Sequence, residues 1–291
     1  MYKVKYWLLA ARPKTLIASF IPIVPVSMLC IKDNSFSLSV FICTLFSAIF
    51  IQIMTNFIND LYDFKKGADR SDRVGPDRAI QKGYLNEKEI IKGIYRLLFL
   101  AVLLGSYLVS IGGYFILIIG LSSFLFAYLY TATKFSIAYN GLGEVFVFIY
   151  FGVIASVGTY YLQTLDYNLM IIFFGIISGT LNSSMLVINN IRDYKADRLS
   201  NKNTLIVIFG RSFGKIELLF INLLSYCSLY YLLILLHKIN LIYIFSPLLL
   251  LIIIIMHRIF IDNEFINKKA LSYYSLYITI FTIFLSLITL L

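Results

Sequence analysis

The chain has 291 residues, of which 25 are Lys or Arg and 15 are Asp or Glu, so that 14% are charged while 60% are apolar. Soluble domains carry about 25% charged residues. A mean hydropathy of +0.85 means more apolar surface than one buried core of this length absorbs, which excludes a soluble enzyme and a disordered chain.

The surplus must face lipid, and continuous apolar runs without period-2 alternation select spanning helices over a barrel. The basic start, Met1 to Lys14, leads into an apolar run over 15–31 with no small-residue cleavage site, so it reads as a retained first span and not as a signal peptide. Further runs of the length a bilayer requires follow at 37–58, 94–111, 113–132, 145–163, 169–190, 216–236, 241–256 and 271–291. The expectation is an all-α integral membrane protein, a single domain over 1–291, built as a bundle of nine transmembrane helices. Cys30, Cys43 and Cys227 are odd in number and set inside apolar runs, so they are expected as small core hydrophobes, neither disulfides nor metal ligands.

With the N-terminus inside, 23 of the 25 Lys and Arg residues fall on inner segments, and only Lys32 and Lys238 fall outside. That asymmetry predicts a cytoplasmic N-terminus and an outer C-terminus. It also puts the two long charged loops, 64–92 and 191–215, on the cytoplasmic face. The net charge of +10 then reports topology and attraction to the anionic lipid bilayer, not a nucleic-acid partner.

The polar residues are concentrated at two span ends. Asn56, Asn59, Asp60 and Asp63 fall within an arc of about 100° on a helix, and carboxylates at a membrane boundary are costly unless they face a cavity and are partnered. Asn189, Asn190, Asp193 and Asp197 repeat the device 133 residues later, counted from Asn56 to Asn189. Hard oxygen donors with no His or Cys nearby favour Mg²⁺. Mg²⁺ held by few carboxylates keeps room for phosphate oxygens, and basic residues flank both stripes: Lys65, Lys66, Arg70, Arg73, Arg78 and Lys82 beside the first, Arg192, Lys195, Arg198, Lys202 and Arg211 beside the second. A lipid diphosphate at the mouth of an apolar bundle fits this set. Mg²⁺ and basic groups would stabilise a departing diphosphate, and the 22 Tyr and 25 Phe offer walls for the carbocation left behind.

Four stretches carry a resemblance: Arg12-Pro-Lys-Thr15; Asn59-Asp60-Leu-Tyr-Asp63 with Asp72-Arg73 and Arg78 to Gly83; Tyr139 to Phe148 with Gly158 to Tyr161; and Asn189 to Asp193 with Lys202 to Leu205. They resemble the membrane-embedded aromatic prenyltransferases of the UbiA superfamily, and within it the naphthoate branch. The likeness runs from about residue 7 to residue 215. Thr133-Lys134-Phe135-Ser136 departs from the Gly- and Pro-richer turn expected before Tyr139.

The resemblance implies a central cavity open to the cytoplasmic side, in the bacterial cytoplasmic (inner) membrane. It implies transfer of a polyprenyl group from polyprenyl diphosphate to C2 of 1,4-dihydroxy-2-naphthoate, with loss of CO₂, giving a demethylmenaquinol for menaquinone biosynthesis. Carried over by motif, Asp60, Asp63, Asp193 and Asp197 are the catalytic carboxylates and, with Asn56 and Asn189, the Mg²⁺ set. Asn59, Lys66, Arg73, Arg78, Tyr139, Glu144, Asn190, Arg192 and Lys202 are the substrate contacts, with Tyr139 and Glu144 on the aromatic side. Another acceptor such as 4-hydroxybenzoate is the near alternative. A membrane transporter is the remote one, disfavoured because both stripes end on one side and no charge lies at mid-membrane.

Overall fold

The computed structural model describes residues 2–69 and 75–291. Its elements are α1 (Tyr2–Ala11), α2 (Ile17–Lys32), α3 (Leu38–Lys65), α4 (Glu87–Leu129), α5 (Gly143–Phe148), α6 (Ala155–Thr164), α7 (Met170–Leu199), α8 (Leu205–Phe209), α9 (Arg211–Leu235), α10 (Ser246–Ile261), α11 (Asn263–Lys268) and α12 (Ala270–Leu290), with a π-helical segment at Ile149–Ile154 and no strand among the described residues. Among the described residues, seven helices are long and apolar enough to cross a membrane, with Lys3–Thr15 and Ile17–Lys32, bent by 52°, as an eighth if taken together. The protein is an integral membrane helical bundle.

Two breaks follow from single residues. Pro13 ends α1, since the residue before a proline is driven out of the helical region, and Arg12 adopts φ 54° and ψ 64°. α4 runs 43 residues, about 64 Å at 1.5 Å per residue, or twice the hydrocarbon thickness of about 30 Å. It is broken at Gly113, with φ 60° and ψ −149°, where the apolar runs 94–111 and 113–132 meet. Its start is fixed by a capping box: Glu89 N–H donates to Asn86 Oδ1 at 2.9 Å, and Asn86 N–H donates to Glu89 Oε2 at 3.0 Å.

α7 is the central helix. In its most apolar stretch 78% is buried, against 17% for α3 and α4. A helix surrounded by others can carry small and polar residues, and Ser178, Gly179, Thr180, Asn182, Ser183 and Ser184 are all buried. At the crossing with the π-helical segment, a Cβ on Gly152 would stand 2.5 Å from Gly175 O, and one on Gly179 would stand 2.7 Å from Phe148 O, so only glycine permits this approach. Pro22 within α2 removes the backbone donor for Ala18 O. The Asn182 amide replaces it, donating to Ala18 O at 3.1 Å and to Phe151 O of the π-helical segment at 2.9 Å.

The largest apolar core joins α7, α9, α10 and α12 around Leu181, Leu232, Tyr277 and Phe281. A second cluster packs Ala79, Ile80 and Leu85 of the loop between α3 and α4 against Ala10 of α1 and Phe57 and Leu61 of α3, which folds that loop back over the end of α3. Cys30 is buried, but Cys227 is exposed on α9, so the expectation of three core cysteines is corrected. A thiol is apolar enough to face lipid as readily as core.

Candidate functional site

α3 and α7 each extend beyond their apolar stretches, and their polar ends come together. All eight expected residues, Asn56, Asn59, Asp60 and Asp63 from α3 and Asn189, Asn190, Asp193 and Asp197 from α7, line one cavity of about 900 Å³. Its other end is apolar, walled by Ile51, Ile116, Phe126, Tyr150 and Leu162. Along α3 it reaches from Thr44 to Asp63, about 28 Å of helix. Where the two arms of α4 form the wall, Val102 and Leu121 line the cavity and are 50% and 60% exposed. A Cβ on Gly105 or Gly120 would meet nothing within 4 Å.

Asp60, 1% exposed, is clamped by residues remote in sequence. Arg12 Nη2 lies 2.8 Å and Arg78 Nη1 3.1 Å from its Oδ1, and Ala79 N–H donates to Oδ2 at 3.3 Å. Burial of Ala79 and Ile80 in the second core cluster holds Arg78 there, and its Nε donates to Asp69 Oδ1 at 3.3 Å. Arg12 is a site residue that the sequence reading passed over as a site residue. Its signal is the Arg-Pro step that bends the chain by 52° before α2. Asn56 donates to Ala11 O at 3.0 Å, and Asn59 Oδ1 accepts from Thr131 Oγ1.

The second stripe is held locally. Arg192 forks onto Asp193, with Nε to Oδ1 at 2.8 Å and Nη2 to Oδ2 at 2.7 Å. Lys202 Nζ stands 3.8 Å from Asp197 Oδ1. Asn190 Nδ2 donates to Glu144 Oε1 at 2.7 Å, and Ser183 Oγ to Glu144 O at 3.0 Å, so Glu144 faces the cavity from α5, tied to α7 at both ends.

Two expected substrate contacts stand outside the cavity wall. Lys66 gives all three N–H bonds to the turn after α4: Thr131 O at 2.7 Å, Thr133 O at 2.8 Å and Ser136 Oγ at 3.0 Å. The turn that departs from a Gly- and Pro-rich pattern is thus held by an ammonium group, and burial lowers the pKa of that ammonium. Tyr139 donates to Asp63 Oδ1 at 2.9 Å. Its ring carries Lys66 at 4.2 Å and Lys202 at 5.5 Å from the centroid, and its carbonyl accepts from Asn203 N–H at 3.2 Å. Burial first, then the Asp63 charge, push its phenol well above the ordinary value, so it stays a neutral donor. Tyr139 therefore staples the first stripe to the second loop, while Tyr130 takes the cavity wall.

Of the basic residues flagged in the loops, Arg78, Arg192 and Lys202 line the cavity, joined by Arg12. Lys65 pairs with Glu87 at 3.3 Å and Lys82 with Asp77 at 3.6 Å. Arg70 and Arg73 lie outside the described residues. No group of three His, Cys, Asp or Glu among the described residues forms a cage for a metal. That suits a cation held by one or two carboxylates with phosphate oxygens supplying the rest, as Mg²⁺ prefers. The chemistry of the donor set fits such an ion: oxygen donors only, from two facing helices.

Residues 19–288 match the UbiA prenyltransferase family. The chain is 36% identical over 222 residues to a 1,4-dihydroxy-2-naphthoate octaprenyltransferase of Haemophilus influenzae, covering 74% of this chain and 72% of that protein. It is 34% identical over 208 residues to the enzyme of the same name from Bacillus subtilis, covering 72% and 67%. Its fold is that of a UbiA homolog from Archaeoglobus fulgidus bound to GPP and Mg²⁺, with a TM-score of 0.71 at 19% identity over 98% of this chain and 99% of that one. The same homolog bound to Cd²⁺ superposes with a TM-score of 0.62.

Proposed function

This chain belongs to the UbiA prenyltransferase family, and on that premise we propose that it transfers a polyprenyl group from its diphosphate to C2 of 1,4-dihydroxy-2-naphthoate, with loss of the carboxylate as CO₂, giving a demethylmenaquinol. The observation that carries this is one cavity with a charged mouth and an apolar depth, in a chain whose relatives are named for that transfer.

The residues divide the work by position. Arg12, Arg78, Arg192 and Lys202 at the mouth oppose the charge that develops on the departing diphosphate. Asp60, Asp63, Asp193 and Asp197, with Asn56 and Asn189, are the set to hold a divalent cation, which when bound neutralises diphosphate oxygens and eases departure of the leaving group. Phe126, Phe146 and Tyr150, with ring centroids 4.8 to 6.4 Å apart, face the allylic cation with π-systems that attract positive charge. The apolar depth excludes water that would otherwise capture it.

Taking the two arms of α4 as separate crossings, and α2 as another, gives nine. The bias of 23 basic residues to one side then puts the mouth on the cytoplasmic face of the inner membrane, with the C-terminus outside. Cysteines placed at Gly75 and Asn203, in a chain whose native cysteines are replaced by Ser, should react with an impermeant thiol reagent only from the cytoplasmic side. Labelling from outside would invert the orientation.

The reaction is tested with membranes containing the chain, Mg²⁺, a prenyl diphosphate and carboxyl-labelled dihydroxynaphthoate. An unlabelled prenylated lipid and labelled CO₂ should form in equal amounts. Prenylation of 4-hydroxybenzoate without activity on the naphthoate would replace the acceptor and leave the fold and family untouched.

A further inference from the structure

The carboxylates that line the cavity differ in what holds them. Asp60 is paired with Arg12 and Arg78, Asp69 with Arg78, Asp77 with Lys82, Asp193 with Arg192 and Asp197 with Lys202, while Asp63, in the set proposed to hold the cation, accepts from the Tyr139 hydroxyl at 2.9 Å. Glu144 differs. It is 5% exposed, lines the cavity, and among the described residues makes no ion pair within 4.0 Å. Its partner is the neutral Asn190 amide at 2.7 Å. Lys202, the cation that faces it, is engaged with Asp197 at 3.8 Å and with the Tyr139 ring. Tyr130 and Glu217 are the other titratable groups toward it. Protonating an Arg-paired carboxylate discards an ion pair, whereas protonating one held by an amide discards none, so these environments assign different roles.

Position separates them as well. The paired aspartates gather at the mouth, while Glu144 sits on the first turn of α5, the helix that also places Phe146 in the ring cluster with Phe126 and Tyr150. Glu144 and this ring cluster thus line the same cavity, and the Asn190 amide orients the carboxylate.

We propose that Glu144 is the general base for the acceptor, taking the proton of the hydroxyl beside the reacting carbon and returning it at the end of the cycle. This rests on the transfer reaction proposed above. As the O–H bond breaks, its electron pair moves into the ring. C2 then forms its bond to the allylic C1′, whose bond to oxygen has already broken with its pair on the diphosphate. The product of that step is a β-keto carboxylate. Its C2–carboxyl bond breaks as CO₂ departs, the pair flows to the ketone oxygen, and the Glu144 carboxylic acid returns its proton there. No net proton is consumed or released, and nothing beyond donor and acceptor is needed. A carboxylate able to hold one proton for the lifetime of the intermediate meets that need; one locked to a guanidinium does not.

The test compares the full chain with Glu144→Gln, which keeps an oxygen for the Asn190 amide, and with Glu144→Asp. The acceptor is dihydroxynaphthoate, and the donor is a prenyl diphosphate carrying ¹⁸O in the bridging position. Loss of the base should lower kcat of Glu144→Gln by about 100-fold or more, with the KM of both substrates within a few-fold. Scrambling of the bridging label without acceptor should persist, since ionisation of the donor does not use this residue. Glu144→Asp should recover part of the lost rate. A Glu144→Gln enzyme within about fivefold of wild type would overturn the proposal, as would loss of label scrambling together with transfer, or an Asp variant no better than Gln. If the wild type prenylates some other phenol and not the naphthoate, the acceptor reading fails, and the same variants are judged on that phenol.

Discussion

The ends of α3 and α7 share an Asn four residues before an Asp, Asn56 with Asp60 and Asn189 with Asp193, yet the protein anchors them in opposite ways. Asp60 is held by Arg12, 48 residues before it, and by Arg78, 18 residues after it. Asp193 is held by the adjacent Arg192, and Asp197 by Lys202, within the following turn. The first stripe is assembled only when α1 and the loop before α4 have docked on α3, and the second comes ready made with its helix. A sequence repeat thus does not imply a structural one. α3 lies at the periphery and takes Arg12 and Arg78 from other segments, whereas α7, the central helix, carries Arg192 beside Asp193 and has Lys202 in the turn that follows it.

The largest effect should treat both stripes alike. EDTA should abolish prenyl transfer and Mg²⁺ should restore it, because both ends present oxygen donors to one mouth; full activity in chelated membranes would remove the metal from the site. Next, Asp60→Asn and Asp193→Asn should each lower kcat by about 10²- to 10³-fold at wild-type abundance, measured as labelled prenyl transferred per mole of protein. If only one of them does, the stripes are not equivalent in chemistry either.

Stability should then separate them. Arg78→Met leaves a buried carboxylate short of one partner and frees the loop that it pins, and should cost about 3 kcal/mol. Arg192→Met breaks a pair that is also largely buried, but one between neighbours that pins no distant loop, and should cost less than Arg78→Met. Thermal unfolding in detergent distinguishes the two, and equal losses would mean that the long-range clamp is not what holds the first stripe. A smaller effect of the same kind belongs to Lys66→Met. Removal of three ammonium hydrogen bonds should cost about 2 kcal/mol while leaving kcat within a few-fold, since Lys66 holds a turn and stands off the cavity wall. A large fall in kcat with unchanged melting would return Lys66 to the substrate.

Much of this was legible before any fold was known. Lipid-facing composition, the meeting of two apolar runs at Gly112 and Gly113, and the two acidic faces are local patterns, and local patterns are what a one-dimensional reading resolves. The Mg²⁺-compatible donor set follows from residue type alone. What escaped was relational. Arg12 is only part of a matching stretch until α1 is seen folded against α3, where it meets Asp60. Lys66 and Tyr139 stand beside the acidic stripe in sequence or motif, but their polar atoms are taken by the turn after α4 and by Asp63. Glu144 was marked by the resemblance alone, because the amide that distinguishes it lies 46 residues away.

The thin wall between the two arms of α4 bears on the size of the product. A closed pocket measures its ligand, and its depth would reject donors longer than itself. Here Val102 and Leu121 line the cavity while remaining half or more exposed, and Gly105 and Gly120 leave the space beside them open. Such a slot is not a ruler. On the proposed transfer, the first isoprene units would sit among the rings and the remainder of a long tail would pass sideways into the acyl chains. Donors of increasing length should then share one kcat, and quinone tail length in the cell becomes a property of whichever synthase makes the diphosphate. Bulky residues at the two glycines, as in Gly105→Phe with Gly120→Phe, would close the slot and turn a length-blind enzyme into one that prefers short tails.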